Sequence, residues 1–347
     1  MTVVNNAATN GCASKPPRRL LLISVPRTAS NLLVKVLNIH NRSNVLTTEK
    51  GGYFFYNAFL SAVHLSKPRD QWTDDETKKV QVAFQEAVDS LEEYSTRAQD
   101  ENKMMFAKEH AFWIFNPASF EKMLRGTTNT EHFNDFAIKV PESYGSTQTF
   151  SSKNETVLPD EYLRSWQMAF VIRHPALAWP SLYRAMTKMS SVGFIDEDAI
   201  RGATATSLSL RWTRMLYEWC LEQPDVPTEP PVLDAYDVIH NPGAVQNFCE
   251  RVGLDPSEVQ YEWDDKAAEA ALTKLDERER AAQSIMLSTL HASKGVVKDK
   301  TPANIDIAVE AEKWKAEFGE EVAQIIEKAV WDSMPDYEYL KARRVTV

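Results

Sequence analysis

Residues 20–33 read Leu20-Leu21-Leu22-Ile23-Ser24-Val25-Pro26-Arg27-Thr28-Ala29-Ser30-Asn31-Leu32-Leu33. Leu20 to Ser24 is a short continuous apolar run of the kind shown by a parallel strand buried on both faces. It breaks at Pro26, and from Asn31 the apolar residues Leu32, Leu33, Val36, Leu37 and Ile39 recur at helical spacing. Ser30 or Thr28 suits the N-cap of that helix. The opening unit is therefore strand, tight turn, helix.

Working outward, Asp74 to Gln99 reads as a long amphipathic helix with Val80, Phe84, Val88 and Leu91 on one face. Further apolar runs follow at Met104–Ala107, Phe136–Ile138, Met168–Ile172 and Val232–Leu233. Helical stretches are expected over 176–189, 203–222 and 243–251, and the last part of the chain is mostly helical and charged. Strands alternating with helices predict a single α/β domain, 19–347, with a central parallel sheet flanked by helices. Residues 1–18 are expected to form a flexible tail. Polar stretches at Gly126–Thr130 and Tyr144–Thr156 are expected as loops, and Gln223–Pro231 as a connector.

The chain has 347 residues, 43% of them hydrophobic, and 49 acidic against 39 basic residues give a formal charge of -10. This length buries a sizeable core without staples. The negative balance argues against a dedicated nucleic-acid or anionic-membrane binder. Cys12, Cys220 and Cys249 stand far apart with no Cys/His grouping at ligand spacing, so no metal is expected and the thiols read as reduced. The polar first residues lack the apolar core of a secretory signal, which predicts a cytoplasmic protein. Asn41-Arg42-Ser43 and Asn154-Glu155-Thr156 then read as chance matches to the glycosylation sequon. Nothing in the sequence indicates the oligomeric state.

In an open parallel sheet, ligands bind beyond the carboxyl ends of the strands. Those ends carry Pro26–Asn31, Lys108-Glu109-His110, Lys139 and Arg173-His174. Positive and titratable groups thus gather on one rim of an acidic chain, which points to an anionic ligand such as a phosphate ester. The first loop is not a Walker A motif, because no glycine occurs between Leu20 and Lys50. Lys139 reads as a structural ion-pair partner and His174 as structural.

The segment Pro26-Arg27-Thr28-Ala29-Ser30-Asn31-Leu32-Leu33 resembles the 5′-phosphosulfate loop of sulfotransferases that use 3′-phosphoadenosine 5′-phosphosulfate (PAPS). Val171-Ile172-Arg173-His174-Pro175 through Ser181-Leu182-Tyr183 is similar to their 3′-phosphate motif, with Arg173 and Ser181 matching. Phe106-Ala107-Lys108-Glu109-His110 resembles the segment carrying the family's catalytic histidine. Val232–Leu254 is similar to the strand and helix after the cofactor core, and Ser293-Lys294-Gly295 to a late basic loop over the 3′-phosphate. The matches keep the family's order over roughly 19–300. They imply a sulfotransferase-like P-loop fold. Three departures stand out: Ala29 replaces a glycine, Asn31 a Thr or Ser, and one basic residue, not two, precedes Gly295. A Cβ at Ala29 is expected to crowd the donor's approach to the backbone.

The resemblance implies in-line transfer of a sulfuryl group from PAPS to a hydroxyl or amine of a small acceptor, leaving adenosine 3′,5′-bisphosphate. His110 would be the general base, Lys108 would stabilise charge on the transferred group, and Arg27 would face the leaving phosphate. Thr28, Ala29, Ser30 and Asn31 would cradle the donor with Arg27, while Arg173, Ser181, Lys294 and Gly295 would hold its 3′ end. A guanidinium neutralises charge but does not donate a proton, so Lys108 would serve the leaving oxygen. The aromatic clusters that include Tyr53, Phe54, Phe55, Phe112 and Trp113 suggest an aromatic or hydrophobic acceptor. An alternative keeps the fold but discards the cofactor, giving a lyase, cyclase or isomerase that uses His110, Lys108 and Arg27. A third reading is a non-enzymatic nucleotide- or metabolite-binding protein.

Overall fold

The structure, a computed structural model, describes residues 18–63, 68–126, 133–196, 200, 204, 206–223, 229–263, 277–299 and 301–347. Most of the expected tail, with Cys12, lies outside the described residues, as do 127–130 of one expected loop and 224–228 of the connector.

Five parallel strands form one sheet: β1 (Arg19–Ser24), β2 (Val45–Leu46), β3 (Met104–His110), β4 (Gln167–Ile172) and β5 (Val232–Asp234), in the order β2-β3-β1-β4-β5. The continuous apolar runs have the expected cause, since alternate residues of each strand enter two cores. Leu21, Ile23, Met105, Ala107, Phe170 and Ile172 pack on one face, and Leu20, Leu22, Met104, Phe106, Ala169 and Val171 on the other. Each fully buried Leu or Ile contributes about 1.5–3 kcal/mol. After β1 the chain turns to one side of the sheet, and after β3 it crosses to the other. The carboxyl end of β1 therefore lies at the switch point, where ligands bind in such sheets.

The helices are α1 (Ser30–Val36), α2 (Tyr56–Val63), α3 (Asp74–Asp100), α4 (Pro117–Arg125), α5 (Asp160–Arg164), α6 (Pro175–Ser191), α7 (Arg211–Leu221), α8 (Ala235–His240), α9 (Pro242–Val252), α10 (Glu277–Met286), α11 (Ser288–His291), α12 (Ile307–Phe318) and α13 (Glu320–Lys341). Helix α3 starts at a capping box, in which the Glu76 N–H donates to Thr73 Oγ1 and the Thr73 N–H to Glu76 Oε2.

Three local expectations need correction. Phe136–Ile138 is not a strand but a 3₁₀ turn, Phe133–Phe136, running into irregular chain. It is anchored by Gln85, which bonds both the N–H and the carbonyl of Lys139. Lys139 itself is exposed, away from any strand end. The remaining strand is β2, whose two residues are too few to show a period. The N-cap of α1 is neither Ser30 nor Thr28. Ala29 occupies it in a left-handed conformation, with no side-chain cap. Helix α7 spans Arg211–Leu221, after non-helical residues 208–210 inside the helix expected over 203–222, of which 203 and 205 lie outside the described residues.

The stretch at 144–156 is a loop, yet Asn154 is buried, its amide bonding Leu158 O and Asp160. Cys220 and Cys249 are buried free thiols. Among the described residues no helix is long and apolar enough to cross a membrane.

At the amino end of β1, opposite the rim just described, the Arg19 guanidinium is fully enclosed. It donates to Glu92 at 2.8 Å, to the Tyr162 hydroxyl at 2.8 Å and to Ser165 at 2.9 Å, and lies 4.0 Å from the Trp166 ring. Removing one member of such a buried pair typically costs about 3–5 kcal/mol. Arg19→Ala is expected to lower the urea-unfolding stability by about 3 kcal/mol, with ligand binding at the far rim unchanged. A loss under about 1 kcal/mol would show that the network is incidental.

Candidate active site

The parallel register of β1 and β3 sets Leu22 opposite Lys108 and Ser24 opposite His110. Lys108 and His110, two residues apart on a strand, share one face. That face is the one covered by α1, through Leu33, Val34, Val36 and Leu37. The residues after β1 and those ending β3 therefore meet.

The Lys108 ammonium donates to Asn31 Oδ1 and lies 4.2 Å from the centre of the Tyr53 ring. An amide oxygen and an aromatic face both favour a cation. Burial opposes it and pushes the Lys108 pKa down to about 7. Glu109, on the opposite face, accepts from the Phe54 N–H at 2.5 Å, and burial pushes its carboxyl up to about 8.

His110 is 4% exposed. Its Nδ1 lies 2.8 Å from Ser24 Oγ, and its ring centre lies 4.4 Å from that of Trp113, 5.1 Å from Tyr53 and 6.1 Å from Phe112. Burial first, and then the Lys108 charge, hold its pKa well below the ordinary value. The ring is neutral at neutral pH and so is able to accept a proton.

Tyr53 reaches this position because Gly51 and Gly52 bring the chain against β3. The Tyr53 N–H donates to Lys108 O at 2.8 Å. A Cβ on Gly52, whose φ is +136°, would lie 2.3 Å from both Lys108 N and O, so only glycine fits there.

The loop after β1 faces the cationic side. Arg27 and Ala29 adopt left-handed backbone, φ 69° and 64°, and Thr28 Oγ1 donates to Val25 O at 2.7 Å. Ala29 thus keeps the conformation a glycine would hold there, at the cost of its Cβ. Arg27 Nε donates to Ser181 Oγ at 3.0 Å, and its Nη1 donates to Met286 O. Arg173 Nη1 donates to Arg27 O at 3.1 Å, and its Nη2 reaches Thr301 Oγ1 at 3.5 Å. Burial and the neighbouring guanidiniums lower both arginines: Arg184 acts on Arg27, and Arg27 on Arg173, which falls to about 10. An anion placed between them would relieve this repulsion. The donor set therefore fits a phosphate-bearing ligand such as PAPS or its bisphosphate product.

Other residues lie elsewhere. Phe54 packs edge-on against Tyr94 and Phe55 against Phe84, both towards α3 and the core. Lys294 is exposed. Its carbonyl accepts from Trp263 N at 3.0 Å, and Gly295 bridges to Glu262. The segments that reach Arg27 and Arg173 are those flanking this pair, at Met286 and Thr301. His174 is structural, its Nδ1 accepting from the Ala176 N–H at 3.2 Å and its ring against Tyr337.

Sequence reasoning missed Ser24 and Arg184, while the aromatic stretch that includes Tyr53 also held Tyr56 and Phe59. Tyr56 and Phe59 pack on Trp113, with ring centres 5.2 and 5.7 Å away. Among the described residues no three His, Cys, Asp or Glu side chains gather as a metal site would require.

No family model matches the sequence. The chain is 35% identical over 341 residues to "Sulfotransferase ppzF" of Metarhizium rileyi (strain RCEF 4871), covering 95% of this chain and 96% of that protein. To "Sulfotransferase ppzF" of Metarhizium majus (strain ARSEF 297) it is 36% identical over 343 residues, covering 95% and 97%. It belongs to this sulfotransferase family. The sulfotransferase domain of the Synechococcus PCC 7002 olefin synthase aligns over 88% of this chain and 96% of that one, with 10% identity and a TM-score of 0.32, too low to bear on the argument.

A left-handed alanine costs roughly 1–2 kcal/mol relative to a right-handed one, a penalty glycine escapes. Ala29→Gly is expected to raise stability by about 1 kcal/mol in chemical unfolding, with affinity for adenosine 3′,5′-bisphosphate equal or higher. A stability loss would show that the Cβ makes contacts worth more than the strain.

Proposed function

We propose that this chain transfers a sulfuryl group from PAPS to the hydroxyl or amine of a small aromatic or hydrophobic acceptor, with His110 as general base. The observation that carries the reading is the meeting of a neutral, buried His110 with Lys108, at the carboxyl end of β3, beside the Arg27–Asn31 loop. Family membership supports it.

Arg27 and the 28–31 loop would hold the 5′ end of the donor, and Arg173 with Ser181 its 3′-phosphate. When bound, PAPS supplies the sulfuryl group. The acceptor oxygen or nitrogen forms the new bond to sulfur, and the bond from sulfur to the 5′-phosphate breaks with its electron pair left on the phosphate. The acceptor's proton passes to His110. Lys108 neutralises charge developing on the group in flight. Tyr53, Phe112 and Trp113 form an aromatic wall beside the base, suited to a flat acceptor. The left-handed backbone at Ala29 weakens the motive for cofactor-free chemistry, because the loop keeps a glycine-like path.

Calorimetric titration with adenosine 3′,5′-bisphosphate should show binding that Arg173→Ala weakens at least tenfold, on the order of a lost charge-assisted contact. His110→Ala should bind the nucleotide as wild type does while kcat falls by about 10²–10⁴. No nucleotide binding, together with turnover that needs no PAPS, would instead establish the cofactor-free alternative. Undiminished turnover in His110→Ala would remove it as base.

The pH profile follows from the same groups. The base form of His110 is present above its lowered pKa, so kcat/KM should stay level as pH falls past about 6.5. The cationic form of Lys108 is lost as pH rises through its own pKa, lowered to about 7, so kcat/KM should decline from that region upward. Lys108→Gln should lower the rate and abolish the alkaline decline. A decline that survives in Lys108→Gln would assign it to another group.

A further inference from the structure

Ser24 has no part in the chemistry described so far, yet it is wholly buried at the last position of β1, directly opposite His110. Its Oγ lies 2.8 Å from His110 Nδ1 and 3.2 Å from the carbonyl oxygen of Glu109. A hydroxyl has one proton to give. The Glu109 carbonyl can only accept, and a Ser24 proton given to it leaves the Ser24 oxygen to accept from the ring. That requires the imidazole hydrogen to sit on Nδ1. With Nδ1 carrying the proton, the neutral ring keeps its lone pair on Nε2.

We infer that Ser24 is a positioning residue that fixes His110 in the Nδ1–H tautomer, through the chain His110 Nδ1–H to Ser24 Oγ to Glu109 O, and so reserves Nε2 for the acceptor's proton. The inference deepens the proposed base role of His110 and rests on it for its kinetic consequence. The tautomer itself does not depend on it. The arrangement also explains why a buried serine ends a strand whose other residues are mostly apolar. The Trp113, Tyr53 and Phe112 rings surround the imidazole without offering it a carboxylate or a carbonyl. Unlike a base oriented by a carboxylate, this one is held by a neutral partner, which orients the ring and stabilises an imidazolium less than a carboxylate would. That suits a ring whose proton must leave again after each turnover.

The test begins on the wild-type protein, labelled with ¹⁵N in histidine, with the His110 signals identified by their absence in His110→Gln. Long-range ¹H–¹⁵N spectra are expected to show a protonated Nδ1 and an unprotonated Nε2. The opposite pattern would overturn the inference whatever the kinetics. Ser24→Ala should then lower kcat about tenfold, the scale on which partners of a functional histidine act, with KM and nucleotide affinity within twofold of wild type. Its His110 signals should show mixed or inverted tautomers, and Ser24→Thr should restore both the spectrum and the rate. Unchanged kcat and spectrum in a folded Ser24→Ala would refute the role. Should Ser24→Ala shift the tautomer while His110→Gln retains full turnover, the base assignment fails and the positioning of the ring stands.

Discussion

The pairing of β1 with β3 is the constraint on which the site depends. Because the two strands run parallel, their carboxyl ends finish together. Because Leu22 faces Lys108 and Ser24 faces His110, the loop after β1 meets the reactive end of β3 with no intervening element. A shift of one residue in that register would turn Lys108 and His110 to the other face, where Glu109 now sits against the Phe54 N–H. The dual-faced core opposes such a slip, since it would exchange the Leu20–Leu22 and Leu21–Ile23 sets between two packed layers.

Burial does the chemical tuning. The same exclusion of water that lowers His110 also lowers Lys108 and raises Glu109, so the site holds a neutral base beside a cation that gives up its proton far more readily than an exposed lysine. Across the rim, Arg27, Arg173 and Arg184 concentrate positive charge in a chain of net charge -10. The rim is thus cationic within a chain that is acidic overall. Met286 and Thr301 fasten the late segment onto these arginines, so a ligand there would be enclosed by parts of the chain far apart in sequence.

The strand-turn-helix at 20–36 was legible because both periods are strong and the break at Pro26 is abrupt. Lys108, His110 and Arg173 were legible because each ends an apolar run, and a parallel sheet aligns such ends. Phe136–Ile138 misled because three apolar residues suit a buried turn as well as a strand. β2 escaped notice because two residues carry no period. Phe54 and Phe55 were grouped with Tyr53 by composition, but the left-handed turn at Tyr53 sends their rings towards α3.

By itself the sequence determined the fold class, the gathering of basic groups at strand ends and the residue types that could do acid–base work, because these follow from hydrophobic period and from charge at strand ends. Tertiary structure alone decided that Asn31 and Tyr53 grip Lys108, that Ser24 meets His110 Nδ1, and that Ser181 meets Arg27. Each of these pairs joins different elements of the fold. Such a contact depends on strand register and on where a helix docks, quantities set by packing of the whole core and by no local run of residues.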